Sequence, residues 1–367
     1  MNNYILPGVY IEQGVEENRI DLNTFSTLFL SFELDADDIA GTQKIIYLQS
    51  LSDITRYKCL KEELFITKTI HIYFENGGET LYLMPQPKSK EILLDSEQYQ
   101  QFLENRIDSL IDIETILAID IFNEDIILLS DKEKQKIQNR ISRYCKKTNR
   151  LSLMDLPFKN SPIDYSTEIE STIVFYPWLV DKKAELVPPS IYASSLLSKL
   201  ANEKKVFHSL ANIKLKSVID SNLIINRDYA SKLYTHSINP IIYVQNDGYK
   251  IWGIKTLSDE IYDINTLRVF FLIKRALYLI SKEYIFEPHS HILEEKIVRK
   301  VKNFLFELWK SGALKGESEE EAFIIKLDDS PELSISIAVS IAKPLEFIVI
   351  HLNRTTSSDL QSTLNIS

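Results

Sequence analysis

Glycine is scarce in this chain. Nine glycines occur in 367 residues, about 2.5% against a typical ~7%. No GxGxxG or GxxxxGK[ST] stretch is present, so nothing in the sequence offers a backbone cradle for a nucleotide phosphate. No GxSxG occurs, which leaves a hydrolase nucleophile elbow unsupported. Only two cysteines are present, Cys59 and Cys145, far apart. They support neither a disulfide framework nor a CxxC metal site, and they fit a reducing compartment. HExxH and cysteine clusters are missing, and no run approaches the ~18 apolar residues of a membrane helix. The opening MNNYILPGVYIE lacks a basic region followed by an apolar core, so no secretory signal is expected. The net charge of -10 argues against bulk nucleic-acid binding, which needs a basic face.

What is present is ordinary for a globular chain. The apolar fraction is 44% and the charged fraction 26%. The length suits two or three domains. Strands are expected at 24–32, 44–48, 80–84, 115–122, 151–156 and 171–179, with helices at 52–61, 62–75, 98–112, 131–148 and 188–202. That rhythm implies a sheet with helices on its faces. The helix at 131–148 is long, basic and amphipathic. Residues 207–223 have no clear class. Further on, 239–245 and 249–256 read as a hairpin around Asn246-Asp247-Gly248. Two long helices follow, 265–284 and 292–310, then strands at 322–327, 333–341 and 345–351. Residues 355–367 are polar and expected to be loose unless a partner orders them. The strand at 345–352 must pair either with its own chain or with a neighbouring copy. Aromatic Phe270, Phe271 and Tyr278 are expected in the core, and Trp252 and Trp309 between the last helices and a sheet.

Candidate chemistry is thin. His289 and His291 flank Ser290 at a helix start and read as a surface turn with a cap. Asp120 and Asp155 sit near strand ends, an address for α/β active sites, but each reads more simply as a cap or a solvated strand end. His208, His236 and His351 have no recognisable partners. The acidic run Glu317 to Glu321 reads as a solvated loop face. In the helix at 292–310 and just beyond, Lys296, Arg299, Lys300, Lys302, Lys310 and Lys315 outnumber Glu294, Glu295 and Glu307. Ordinary helix charge near the C-terminus explains this more simply than a docking face for an acidic partner.

Several ordered segments resemble the contractile tail sheath family of phage tails, tailocins and phage-like injection systems. PGVYIEQ at 7–13, YFENGGETLYLM at 73–84 and FYPWL at 175–179 with VPPS at 187–190 carry the first part. INPIIYVQNDGYKIWGIKTL at 238–257, YIFEPHSH at 284–291, FLFELWKSGALKGESEEEAF at 304–323 and KPLEFIVIHL at 343–352 carry the rest. Gly8, Gly77, Gly78, Gly248, Gly253, Gly312 and Gly316 all fall inside these segments. The chain departs from the family pattern at Met84-Pro85 and at Ile254-Lys255, and FHSLAN at 207–212 is a vestige of another family segment. The short 85–114 stretch resembles a compact variant, one of several sheath proteins in a system.

The resemblance implies an α/β fold of mixed α+β character, with mixed sheets flanked by helices and extended terminal strand arms. It implies a strand arm and hinge at 1–22, an α/β body at 23–257, a sheath core domain at 258–354 and a tail at 355–367. It implies a non-enzymatic structural subunit without cofactor or metal. Such a subunit polymerises helically with itself or with paralogous sheath subunits around an inner tube on a baseplate. It contacts neither nucleic acid nor the membrane interior, assembles in the cytoplasm, and works in an injection particle inside the cell or released from it. Tyr4, Val9, Tyr10, Ile11, Phe347, Ile348, Val349, Ile350 and Leu352 would form inter-subunit strand arms, with Gly14 as a hinge. Lys296, Arg299, Lys300 and Lys302 would dock the tube. The alternatives are a non-sheath baseplate or capsid-like component, and an α/β enzyme with a degenerate site.

Overall fold

The computed structural model describes residues 25–157, 172–203, 206–257, 263–284, 287–288, 290–327, 334–341, 347–354 and 360–366. Tyr4, Val9, Tyr10, Ile11 and Gly14 lie outside the described residues, as does His289.

The first half is a doubly wound sheet. In chain order its elements are β1 (Ser26–Ser31), β2 (Ile46–Leu48), α1 (Phe65–Glu75), β3 (Leu81–Pro85), α2 (Lys90–Leu94), α3 (Ser96–Ile107), β4 (Ile113–Ala118), α4 (Asp131–Thr148), β5 (Leu151–Asp155), β6 (Thr172–Tyr176), β7 (Leu179–Asp181), β8 (Leu186–Val187), α5 (Pro189–Asn202), β9 (Val218–Ser221), α6 (Arg227–Thr235), β10 (Ile238–Val244) and β11 (Gly248–Ile251). Eight strands form one sheet in the order β11-β10-β6-β5-β4-β1-β3-β2. The six inner strands run parallel, and the edge strands β2 and β11 run antiparallel to their neighbours. Strands β1, β4, β5 and β6 are buried at every residue. Parallel strands covered on both faces are buried in this way, and polar residues among them, such as Ser31 and Glu114, are hydrogen-bonded within the chain.

The sheet separates two apolar layers. On one face α2, α3 and α4 place Leu93, Tyr99, Leu103, Ile137, Ile141 and Tyr144 against Leu28, Leu30 and Ile116. The opposite face carries α1, α5 and the later helices. Helix α4 shows how local chemistry sets an element. Ser130 caps its start, and the Glu133 carboxylate returns to Ser130 N at 2.7 Å, a capping box. Ile137, Ile141, Tyr144 and Cys145 recur at helical spacing on the buried side. Asn149 ends the helix in a left-handed conformation, and Arg150 N donates to Cys145 O at 2.8 Å.

The second half adds α7 (Ile264–Glu283), α8 (His291–Lys310), α9 (Glu319–Ala322), β12 (Phe323–Leu327), β13 (Ser334–Ser340), β14 (Phe347–Arg354) and β15 (Leu360–Ile366). Helix α7 is buried on nearly all sides, and α8 turns Leu293, Ile297, Val301 and Leu305 inward at four-residue steps. One continuous core runs from Phe29 through Ile191, Leu267 and Leu305 to Ile350, so both halves share it. The segment 317–321, expected as a loop, runs into the one-turn helix α9. Trp252, expected between the last helices and a sheet, is 53% exposed just beyond β11, and Tyr278 on α7, expected in the core, is 48% exposed. The unclassified 207–223 stretch supplies β9 at the edge of the small sheet β8-β7-β9.

Candidate assembly surfaces

At the positions where an α/β enzyme would work, the chain's own carboxylates are engaged in hydrogen bonds. Chain direction switches at β1, which has β3 on one side and β4 on the other. At that point Asp120 Oδ2 accepts from Ser31 Oγ at 2.6 Å, Phe32 N at 2.9 Å and Glu33 N at 3.2 Å. Glu33 in turn accepts from Phe65 N at 3.1 Å and Ile66 N at 2.8 Å, the first amides of α1. Asp155 accepts from Ser190 N at 3.0 Å and Ser190 Oγ at 2.5 Å, at the start of α5. Helix N-termini attract anions, and here Glu33 and Asp155 already fill two of them. Burial pushes Asp120 up to about 6 and Asp155 up to about 7, against the hydrogen bonds that favour their charged forms. Asp155 therefore acts as a buried cap that ties β5 to α5, and Asp120 ties the chain after β4 to the turn after β1.

The histidines assemble no cluster among the described residues. His291 Nδ1 lies 2.8 Å from Glu294 on the exposed first turn of α8. His236 Nδ1 lies 2.8 Å from Lys232 O, and His208 meets the Phe207 ring edge-on. Among the described residues, no group of three or more His, Cys, Asp or Glu could hold a metal ion. Among the described residues, no helix is long and apolar enough to cross a membrane. Burial pushes the Cys145 thiol up to about 12, which suits a packing role.

The C-terminal sheet has a different character. It is four-stranded and antiparallel, in the order β12-β13-β14-β15. Ile335, Ile337 and Val339 of β13 and Ile350 of β14 point into the core. In register, Ile337 pairs with Ile350, and Ile350 with Leu364. Phe347, Ile348, Val349, Ile350 and Leu352 therefore lie on an inner strand, with both edges of β14 filled within the single chain. The strand expected to seek a partner has found one in the polar tail, which forms β15 rather than a loose end. The sheet ends at β12 and β15, and these carry its outward edges.

The basic helix α8 is less free than its composition suggests. Lys296 pairs with Glu287 at 3.6 Å, Lys302 pairs with Glu319 at 2.7 Å, and Lys300 pairs with Glu283. Lys310 stacks over Trp309, with its nitrogen 4.6 Å from the ring centre. Arg299 is exposed and, among the described residues, makes no ion pair. Sequence reading could not find these pairs, because Glu283 and Glu319 sit on the neighbouring helices α7 and α9.

No family model matches the chain, and no curated protein matches it. Solved structures do. The helical sheath of the anti-feeding prophage in its contracted state superposes with a TM-score of 0.71 at 22% identity, covering 97% of this chain and 100% of that one. The contracted PVC sheath complex, an extracellular contractile injection system, gives 0.71 at 20% identity over 98% and 100%. The sheath tail protein of Listeria innocua gives 0.66 at 10% identity over 90% and 95%. The chain has, over nearly its whole length, the fold of contractile sheath proteins.

Proposed function

We propose that this protein is a structural subunit of a contractile sheath. It polymerises helically around an inner tube and shortens to drive that tube through a target membrane. The observation that carries this reading is the whole-chain match to the contracted anti-feeding prophage sheath, with 97% of this chain and all of that one in register. The ordered sequence segments add weight, because they run from residue 7 to residue 352. The carboxylate-filled strand ends fit a protein that performs no catalysis.

In this reading the subunit assembles in the cytoplasm, alone or with paralogous subunits, and docks on a baseplate. Residues 1–22 and 355–367 act as connecting arms about the 23–257 body and the 258–354 core, with Gly14 as a hinge. Tyr4, Val9, Tyr10 and Ile11 supply an added strand for a neighbour's sheet. Main-chain hydrogen bonds then give a mesh that survives rotation of the subunit bodies. Because β14 is enclosed, exchange at the C-terminal sheet falls to β15, which holds the position in its own chain that a neighbour's strand would take. Docking on the tube falls mainly to Arg299, since Lys296, Lys300 and Lys302 are engaged within the chain.

A second reading, a subunit seated at the baseplate rather than along the sheath, is favoured by two baseplate structures. The six-fold symmetrised anti-feeding prophage baseplate structure contains a chain that superposes with a TM-score of 0.72 at 20% identity, covering 96% and 100%. Deletion of residues 1–13 tests the arm mechanism. The truncated chain should fold as a soluble monomer and form no tubes under negative-stain microscopy. Tubes of normal length and width from that truncation would overturn arm exchange.

A further inference from the structure

Helix α4 is the most basic element of an acidic protein. It carries seven Lys or Arg against Asp131 and Glu133, a net of +5, in a chain of net -10. Several of these cations are engaged. Lys134 is buried and lies 3.9 Å from Asp131, Lys147 pairs with Glu104 at 2.7 Å, and Arg140 donates to the carbonyls of Leu93 and Leu94. Lys132, Lys136 and Arg143 are exposed and, among the described residues, make no ion pair. Their spacing puts all three on one line of the helix surface, about 16 Å long.

The opposite charge is collected elsewhere. A cleft of about 640 Å³ opens beyond the C-terminal ends of β1 and β4. Glu33, Glu63, Glu124, Asp125 and Glu185 line it against Lys68. Glu33 is used as the α1 cap, and Glu185 holds Lys68 at 2.6 Å. Glu63 and Asp125 are exposed, and among the described residues neither carboxylate makes an ion pair.

We propose that the Lys132–Lys136–Arg143 stripe of one copy docks on the Glu63–Asp125 rim of the next copy. The inference rests on the sheath reading and deepens it. Identical subunits of like net charge repel one another at close range, so their lattice needs local complementarity. The two patches differ, so the contact is heterologous. Such a contact repeats from copy to copy and builds a ring or an open helix rather than a two-fold pair, as a sheath needs. Exposed charge sets register and orientation more than affinity, and salt weakens it.

The test uses three full-length chains: wild type, Lys132→Glu/Lys136→Glu/Arg143→Glu, and that triple variant combined with Glu63→Lys/Asp125→Lys. Sedimentation and negative-stain microscopy give the lowest concentration at which tubes form, and thermal melts check that each monomer is folded. The triple reversal is expected to raise that concentration about tenfold. The combined swap should bring it back to within about threefold of wild type. A triple variant that forms tubes at the wild-type concentration overturns the contact, and so does a swap that restores nothing. Retained binding of wild type to anionic vesicles or nucleic acid, with assembly unaffected by the reversal, also overturns it. Wild type that forms no tubes under any condition overturns the sheath reading itself, a distinct result.

Discussion

Arg268 of α7 and Glu114 of β4 form a two-pronged ion pair inside the protein. Arg268 Nε lies 2.7 Å from Glu114 Oε1, and its NH2 nitrogen lies 2.9 Å from Oε2. Arg268 has no exposed side-chain surface, and it also donates to Leu197 O at 2.8 Å. One guanidinium thus joins the central sheet, α5 and the first of the C-terminal helices. Removing one partner leaves a buried charge alone, so Arg268→Met and Glu114→Gln should each cost about 3–5 kcal/mol in urea unfolding of the monomer. The double variant should recover much of that loss. Additive losses would show that the pair does not couple the two halves.

Asp155 makes stability depend on pH in a set direction. Its carboxyl is raised from 3.8 to about 7 in the folded chain, chiefly by burial. Between those values the folded state binds more protons than the unfolded state, so this group's contribution to stability falls as pH rises through the window. A protonated Asp155 can still donate to Ser190 Oγ. Asp155→Asn keeps the hydrogen-bond geometry without the titration. Unfolding midpoints taken from pH 4.5 to pH 8 should fall less steeply for Asp155→Asn than for wild type. Equal slopes would assign the effect elsewhere.

Gly78 permits close packing rather than an unusual turn. A Cβ there would stand 2.2 Å from Tyr73 Cε1. Tyr73 is fully buried, and its hydroxyl lies 2.9 Å from Thr80 O and 3.1 Å from Thr27 Oγ1. Gly78→Ala should destabilise the monomer by about 1–3 kcal/mol through overpacking, read by urea titration. An unchanged midpoint would show that the ring can shift freely.

Much of the body was legible because its signals are local. The caps of α4 lie within a few residues of its ends, and the expected span 131–148 matches the observed Asp131–Thr148. The parallel strands announce themselves as short apolar runs. What was not legible is set by distant partners. The tail at 360–366 is polar apart from Leu360, Leu364 and Ile366, and only pairing with β14 makes it a strand. The charge on α8 reads as a docking face until Glu283 and Glu319 arrive from neighbouring helices. Arg268 looks like a stray charge in an apolar helix, and its partner lies 154 residues away.

Removing residues 355–367 takes β15 from the outer edge of β14. The core face of β13 and β14 stays intact, so the shortened monomer should melt within a few degrees of wild type. Its bare edge should instead appear as lost assembly or as irregular aggregation. Normal tubes from this truncation would remove β15 from the connecting scheme.

Negative-stain electron microscopy of the purified full-length chain tests the sheath assignment most directly. The expected result is wide, hollow, helically striated tubes that form as concentration rises. A discrete small oligomer or a persistent monomer at every concentration and ionic strength would contradict it.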